Sequence, residues 1–167
     1  MGKYSDKVFD ITVNRNLTHR QEIDSLRLRE NIDTSLLNIF PEGGAKEERI
    51  TLFHLRGNVR NKELEIEYCA RGLVPVDIYS IIALNKNYPR LAVEQQNATH
   101  WQGGNGKWYC AAFLSLEGET ERWICIHLNR NDWLDWWHVG RSDNKVSVVE
   151  DMGMAKRNRN PVPCLSH

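Results

Sequence analysis

Two cysteines and a histidine could form a metal site in the second half of the chain. Cys125 and His127 are two residues apart, so in a strand both point to the same face. Cys110 lies in the preceding predicted strand and can come opposite them, which makes a three-ligand zinc cluster geometrically possible. No histidine pair shows the His-x-x-x-His spacing of a helical zinc site. We therefore expect a thiol packed beside a hydrogen-bonded imidazole, with no metal and no cofactor.

The same residues could supply a nucleophile and its base. Cys110 or Cys125 could attack a substrate with His100 or His127 as the base. A reactive thiolate needs an exposed and positively charged environment, whereas both cysteines lie in mid-strand among apolar neighbours. We therefore predict that both thiols are buried and structural.

Two polar patterns resemble active-site motifs. Glu63, Glu65 and Glu67 alternate with apolar residues, which is the period of a strand with one wet face. Such a row could perform acid–base chemistry if it were covered, but we expect a solvated face. The stretch from Gly103 to Lys107 suggests an anion-binding loop. A strand rather than a helix follows it, so we predict a hairpin turn.

The six tryptophans all lie between residues 101 and 137. In a strand, Trp136 and Trp137 point to opposite faces, and Trp133 and Asp135 share the Trp137 side. An unpaired carboxylate is costly to bury, so we predict that Trp136 packs in the core. Trp133, Asp135 and Trp137 would then form a partner-binding surface, because exposed tryptophan is a hot-spot residue and a stacking platform. The alternative is that another element covers them.

Hydrophobic periodicity and turn residues predict the elements that position these side chains. The predictions are a strand at 7–13, a helix at about 18–30, a hairpin at 50–69, a helix at 75–86 that starts at Pro75, strands at 107–116 and 122–128, and a final strand at 133–139. This order favours an α+β fold, with an antiparallel sheet of five to seven strands and about two helices packed on one face. Residues 1–145 would form one domain, and 146–167 a C-terminal segment that is partly a loose tail.

Composition limits the classes of partner. Lysine plus arginine and aspartate plus glutamate number 22 each in 167 residues, so net charge gives no global attraction to nucleic acid. We find no signal peptide and no apolar run long enough to span a membrane, and expect a cytoplasmic protein without a membrane partner. The four cysteines should then be reduced thiols: Cys69, Cys110, Cys125 and Cys164.

The stretches NATHWQGGNGKWYCAAF and WLDWWHVG carry a resemblance. Over roughly residues 72–140 the chain resembles small uncharacterised proteins of bacterial genomes, phages and other mobile elements. The resemblance implies that the gene travels with mobile DNA. It implies no established activity and no functional residues.

Three classes of function fit these observations. The first is a macromolecule-binding protein that inhibits a bacterial defence system by protein–protein contact, as anti-CRISPR proteins do, with a nucleoprotein defence complex as one candidate partner. The second is an enzyme with a dispersed site built from His100, His127, Cys125 or the glutamate row. The third is a nucleic-acid-binding protein that uses the aromatic residues with a basic tail, namely Lys156, Arg157 and Arg159. The catalytic residues, the oligomeric state and the identity of the partner stay open.

Overall fold

The fold combines a large β-sheet with helices, in a computed structural model that describes residues 5–37, 39, 43–116, 121–129 and 132–142. The strands are β1 (Lys7–Thr12), β2 (Arg29–Ile32), β3 (Glu47–His54), β4 (Asn58–Val59), β5 (Leu73–Pro75), β6 (Asn97–Gln102), β7 (Trp108–Ser115), β8 (Arg122–Leu128), β9 (Trp133–Leu134) and β10 (Trp137–Ser142). The helices are α1 (His19–Leu26), α2 (Asn61–Ala70), α3 (Ile78–Asn87) and α4 (Leu91–Glu94), with a 3-10 turn at Thr34–Leu36. The predicted α+β class is confirmed.

One mixed sheet organises these elements. Its strands lie in the order β1-β3-β10-β6-β7-β8-β2, and β5 pairs with β10 as the eighth strand. The pairs β6–β10 and β2–β8 are parallel, and the remaining pairs of this sheet are antiparallel. The short strands β4 and β9 pair only with each other, and we call this pair the ribbon. The prediction of an antiparallel sheet of five to seven strands therefore matches only roughly.

Helices cover both faces of the sheet, whereas the sequence suggested one. Alternate residues of β7 show the division. Tyr109, Ala111 and Phe113 pack in a core with α1 and α3, and Cys110 and Ala112 pack in a second core with α2. We call the sheet face toward α2 the α2 face. A strand with apolar side chains on both sides requires cover on both sides, which is why the one-face prediction is wrong.

Residues 61–70 form the helix α2 and not the predicted strand. Leu64 and Tyr68 are four residues apart and both are buried, as on one face of a helix. The Oε2 atom of Glu63 accepts a hydrogen bond from the backbone N–H of Arg60 at 3.0 Å, which satisfies a donor at the helix start. The high helix propensity of glutamate outweighs the period-two pattern here.

A glycine allows α2 to pack closely on the sheet. A Cβ atom at Gly140 would lie 2.9 Å from Cε1 of Tyr68, closer than real contacts allow. The Tyr68 hydroxyl donates a hydrogen bond to the carbonyl oxygen of Val139 at 2.8 Å. This contact fixes the carboxyl-terminal half of α2 above β10.

Two other helix boundaries differ from the prediction. Arg27 has a φ of 53°, in the left-handed region, so α1 ends there and the chain continues into β2. Pro75 ends β5 instead of starting a helix. Asp77 caps α3, because its Oδ1 accepts a hydrogen bond from the N–H of Ser80 at 2.9 Å.

Several predictions of strands and turns are confirmed. β1 matches the strand expected at 7–13, and β7 lies between β6 and β8 in the sheet interior, as two apolar faces suggested. The stretch from Gly103 to Lys107 is a hairpin turn that joins β6 to β7. The C-terminal segment 146–167 lies outside the described residues. Within the described part, no helix is long and apolar enough to cross a membrane.

The cysteines depart from the prediction of reduced thiols. Cys69, in α2, is disulfide-bonded, whereas Cys110 and Cys125 are free. Cys164 lies outside the described residues. A disulfide is typical of proteins in oxidising compartments, so this finding removes the thiol argument for a reducing one.

Loss of the Cys69 disulfide should lower the free energy of unfolding. We expect Cys69→Ser to cost about 2–4 kcal/mol in urea titrations under oxidising conditions, the usual contribution of a native disulfide. A reductant should destabilise the wild type by a similar amount and leave the variant unchanged. Alkylation of Cys69 in unfolded, unreduced protein would contradict the disulfide.

Candidate functional site

Most of the side chains that could do chemistry meet on the α2 face. His100 of β6, Cys110 of β7 and His127 of β8 lie directly opposite one another in a row across three strands. Cys125 precedes His127 by two residues and shares its face. α2 adds Glu65 from above. The structure therefore brings together the residues that the sequence offered for a dispersed His/Cys/Glu site.

A carboxylate fixes the orientation of the His100 imidazole. Nε2 of His100 lies 2.8 Å from Oε1 of Glu65, and since a carboxylate only accepts, Nε2 carries the proton. The His100 side chain is 1% exposed, and its Nδ1 has no hydrogen-bond partner. The rings of Tyr68 and Trp108 pack against it with centroids 5.2 and 5.3 Å away. A carboxylate also orients the imidazole of many general bases, but the second nitrogen of His100 is buried.

A second buried imidazole, to which no sequence motif assigned a role, belongs to His138. His138 of β10 is 1% exposed, and neither of its ring nitrogens has a hydrogen-bond partner. Burial lowers its pKa well below 6.5, and the positive potential of His100, His54 and Arg71 lowers it further. His138 is therefore neutral in the folded protein. Strand alternation in WLDWWHVG could have indicated its position, because Trp137 and Val139 on either side of it pack in the core under α1 and α3.

The free cysteines are not prepared for nucleophilic attack. Burial raises the pKa of the Cys110 thiol to about 12, and the nearby Cys125 adds to the shift. Nδ1 of His127 lies 3.8 Å from Cys110 Sγ but 3.0 Å from the carbonyl oxygen of Leu128. Because a carbonyl only accepts, Nδ1 donates there and cannot take a proton from the thiol. Among the described residues, no group of three His, Cys, Asp or Glu side chains is placed to hold a metal ion.

The glutamate row is divided by the helix that carries it. Glu63 caps the start of α2, and hydrogen bonds from Arg60 lower the pKa of its carboxyl group. Glu67 forms an ion pair with Arg71 at 3.6 Å. Only Glu65 turns toward the sheet, where it holds His100. The expected row of solvated carboxylates is therefore wrong in geometry, since residues two apart on a helix point in different directions.

The predicted sides of the tryptophan segment are reversed. Trp133 and Trp137 are buried, with 4% and 7% exposure, and Trp136 is half-buried. Asp135 has a φ of 52°, and this left-handed residue divides the expected strand into β9 and β10. The side chains of residues 133–137 therefore do not alternate between the two faces as they would in one continuous strand. The two buried indoles lack the exposed surface on which their assignment as partner-binding residues rests, and only Asp135 of that set is exposed.

Asp135 and Trp137 do line a small surface cavity. Its volume is about 270 Å³, and Glu94, Gln95 and Ser115 form other parts of its wall. None of the histidines described above lines it. The cavity is thus separate from the chemistry on the α2 face.

A half-exposed aromatic surface occupies the β7–β8 part of the α2 face. Trp108, Leu114, Trp123 and His127 are all half-buried there, and we call these four residues the aromatic face. The indole of Trp123 is covered on one side by the guanidinium of Arg29, 5.5 Å from the ring centroid. Nε1 of Trp123 has no hydrogen-bond partner. The sequence missed this surface because Trp108 and Trp123 lie in strands that otherwise look like core.

The corrected tryptophan geometry gives a stability prediction. Trp137→Ala should lower the free energy of unfolding by about 3–5 kcal/mol, because it removes a buried large aromatic side chain. Trp136→Ala should cost clearly less, because part of that indole is already in water. Urea unfolding of the two variants tests this order. A larger loss for Trp136→Ala would contradict the structure and restore the arrangement predicted from the sequence.

The remaining predicted site lies beyond what the structure describes. Lys156, Arg157 and Arg159, the basic residues of the nucleic-acid alternative, fall outside the described residues. Comparison with known proteins adds no residue assignment, because no protein-family model matches the chain. No curated protein and no solved structure matches it either.

Proposed function

We propose that this protein is a small macromolecule-binding protein whose partner surface is the aromatic face. The observation that carries the proposal is the partial exposure of two tryptophans, Trp108 and Trp123, on adjacent strands of a rigid sheet. Tryptophan is enriched among the residues that dominate binding energy, and a sheet holds such side chains in place before binding. The partner is proposed to be a protein, and no oligomeric state is assigned.

The biological setting of the proposal comes from the resemblance to proteins of phages and mobile elements. In that setting the protein acts as an anti-CRISPR-like inhibitor, which blocks a bacterial defence complex by protein–protein contact. A nucleoprotein complex would fit, since the same indoles could contact a protein or stack on a base. Trp108 and Trp123 are half-buried. Such a surface suits contact with a macromolecule better than with a small ligand, because a small ligand normally occupies a concave pocket.

The cytoplasm is the proposed location. The disulfide at Cys69 counts against it, because the cytoplasm keeps thiols reduced. Alkylation of thiols in intact bacteria, followed by peptide mapping, decides the point. Alkylated Cys69 would support the cytoplasm and would mean that the disulfide forms only after the cells are opened. Cys69 that reacts only after reduction would count against the cytoplasm.

The binding proposal predicts which substitutions abolish partner capture. Trp108→Ala and Trp123→Ala should each weaken binding by about 2 kcal/mol or more if the indoles are hot spots. Tyr88→Ala is the matched control, because Tyr88 is an exposed aromatic residue that packs against Phe9 on the opposite face. The measurement is affinity for a protein captured from bacterial lysate. Equal affinities for all three variants and the wild type would remove the aromatic face as the interface.

The inhibitor proposal has its own test. Expression of the wild type in bacteria with an active defence system should raise the plating efficiency of a targeted phage. Trp108→Ala and Trp123→Ala should lose this effect, and Tyr88→Ala should keep it. An unchanged plating efficiency with the wild type in every defence system tried would contradict inhibition, while leaving the binding measurement to stand or fall separately.

Acid–base catalysis is a second candidate, favoured by the oriented His100. Its partner Glu65 is 30% exposed, whereas Nδ1 of His100 is buried, so catalysis would require the cover of this nitrogen to move. If the pair is catalytic, a hydrolase substrate panel should reveal an activity that His100→Asn and Glu65→Gln both lose. Glu63→Gln, on the same helix, should retain it. An activity that survives His100→Asn would exclude the pair.

A further inference from the structure

Among the described residues, His138 is the buried imidazole whose ring nitrogens both lack a partner. Burial of such a group costs free energy even when the ring is neutral, and costs more once it is charged, because an imidazolium carries a charge and has two N–H donors to satisfy. His138 is therefore the place on the α2 face where one added proton changes the energy most.

The groups that surround His138 give an imidazolium no relief. From β3, Phe53 packs on its ring at 5.6 Å and His54 contributes positive potential. From β6 comes His100, and from α2 comes the guanidinium of Arg71. The acidic groups near these residues already have partners: Glu65 Oε1 contacts His100, and Glu67 and Asp6 form ion pairs with Arg71. The phenol of Tyr68 donates a hydrogen bond to the Val139 carbonyl oxygen.

The ribbon is a short element that covers His138. Trp133 of β9 packs edge-on against the His138 ring, with centroids 5.3 Å apart. Among the described residues, two residue pairs join β9 to β4, and hydrogen bonds run from Asn58 Nδ2 to Asp132 Oδ2 at 3.1 Å and from the N–H of Gly57 to Asp135 Oδ1 at 3.3 Å. A 2.7 Å hydrogen bond from Trp133 Nε1 to Asn61 Oδ1 attaches the ribbon to α2. Gly57 and Asp135, at the two ends of the ribbon, both have positive φ angles, 77° and 52°. The other neighbours of His138 belong to the eight-stranded sheet or to α2.

We propose that protonation of His138 releases the ribbon from the α2 face and exposes Trp133 to solvent while the eight-stranded sheet stays folded. Trp133 contacts both Trp136 and His100, and His100 contacts Trp108 of the aromatic face. Release of the ribbon would therefore enlarge the aromatic face at acid pH. That regulatory consequence rests on the proposed binding function, but the conformational change does not.

The direction of the pH dependence follows from linkage. Burial holds the pKa of His138 well below 6.5 while the ribbon is closed, and exposure of the ring to water would raise that pKa. The closed ribbon is therefore favoured while His138 is neutral and loses that advantage as the pH falls into the acidic range. Opening therefore belongs to the acidic side of the histidine range, and it is reversed by raising the pH.

Fluorine NMR of the full chain labelled with 5-fluorotryptophan tests the proposal without a partner. Replacing each tryptophan in turn by phenylalanine assigns the six resonances. Between about pH 8 and about pH 5, the Trp133 resonance should move to a solvent-exposed position, while Trp101 and Trp137 of the other core keep theirs. His138→Phe should abolish the movement, and His138→Leu serves if that variant does not fold. His127→Gln, a half-buried histidine on the same face, should leave it intact.

Two results would overturn the proposal. The first is a Trp133 resonance that moves only together with those of Trp101 and Trp137, which means global unfolding. The second is the same transition in the His138 variants as in the wild type. Both readouts come from the isolated protein, so they are distinct from failure of the partner-binding measurements on Trp108 and Trp123.

Discussion

The structure depends on the need to bury both faces of one central strand. β7 carries apolar side chains on both sides, so its neighbours in the sheet must be covered twice. α1 and α3 cover one face of the sheet, mainly with aliphatic side chains. Of the described elements, α2 and the ribbon cover the other face. Under these described elements, the four residues of the aromatic face on β7 and β8 are only half-buried.

The two faces of the sheet bury different kinds of polar group. The core under α1 and α3 includes the ion pairs of Arg15 with Glu48 and Asp77, whereas the α2 face buries His100, His138 and the two free cysteines. Imidazole and thiol groups are tolerated there because they are neutral when buried, as the shifted pKa values of His138 and Cys110 show. One carboxylate, Glu65, reaches in from the helix and orients His100. The α2 face thus combines a carboxylate-oriented imidazole, a second buried imidazole without hydrogen-bond partners, and half-buried aromatic side chains.

The sequence predicts the parts of this fold that short-range patterns determine. β1, β7, β8 and the turn after Gly103 follow from alternation and turn residues, and the row of His100, Cys110 and His127 follows from strand pairing once β6, β7 and β8 are aligned. Residues 61–70 fail because alternation of glutamate with apolar residues suits a strand, while the capping of Arg60 N–H by Glu63 and the contact of Tyr68 under Gly140 favour a helix. The first of these contacts is specific to a helix end and the second is tertiary, so hydrophobic periodicity alone does not predict them.

The candidate surface was missed for a related reason. The prediction for Trp136 and Trp137 assumed one continuous strand, and a single positive φ angle at Asp135 invalidates it. Burial of Trp133 depends on a ribbon that pairs residues 58–59 with 133–134, which lie far apart in the sequence. Exposure of Trp108 and Trp123 depends on how far α2 extends over the sheet. The residues next to the tryptophans in the sequence determine neither the pairing of the ribbon nor the extent of α2.

Site-specific photo-crosslinking tests the central claim, that the partly covered α2 face is the partner surface, most directly. A photoreactive phenylalanine analogue is placed at Trp108, at Trp123 or at Tyr88, and each variant is irradiated with the captured partner. The account predicts covalent adducts from positions 108 and 123 and none from position 88, which lies on the opposite face. Adducts from position 88 alone would show that the partner binds the other face, and would contradict the account.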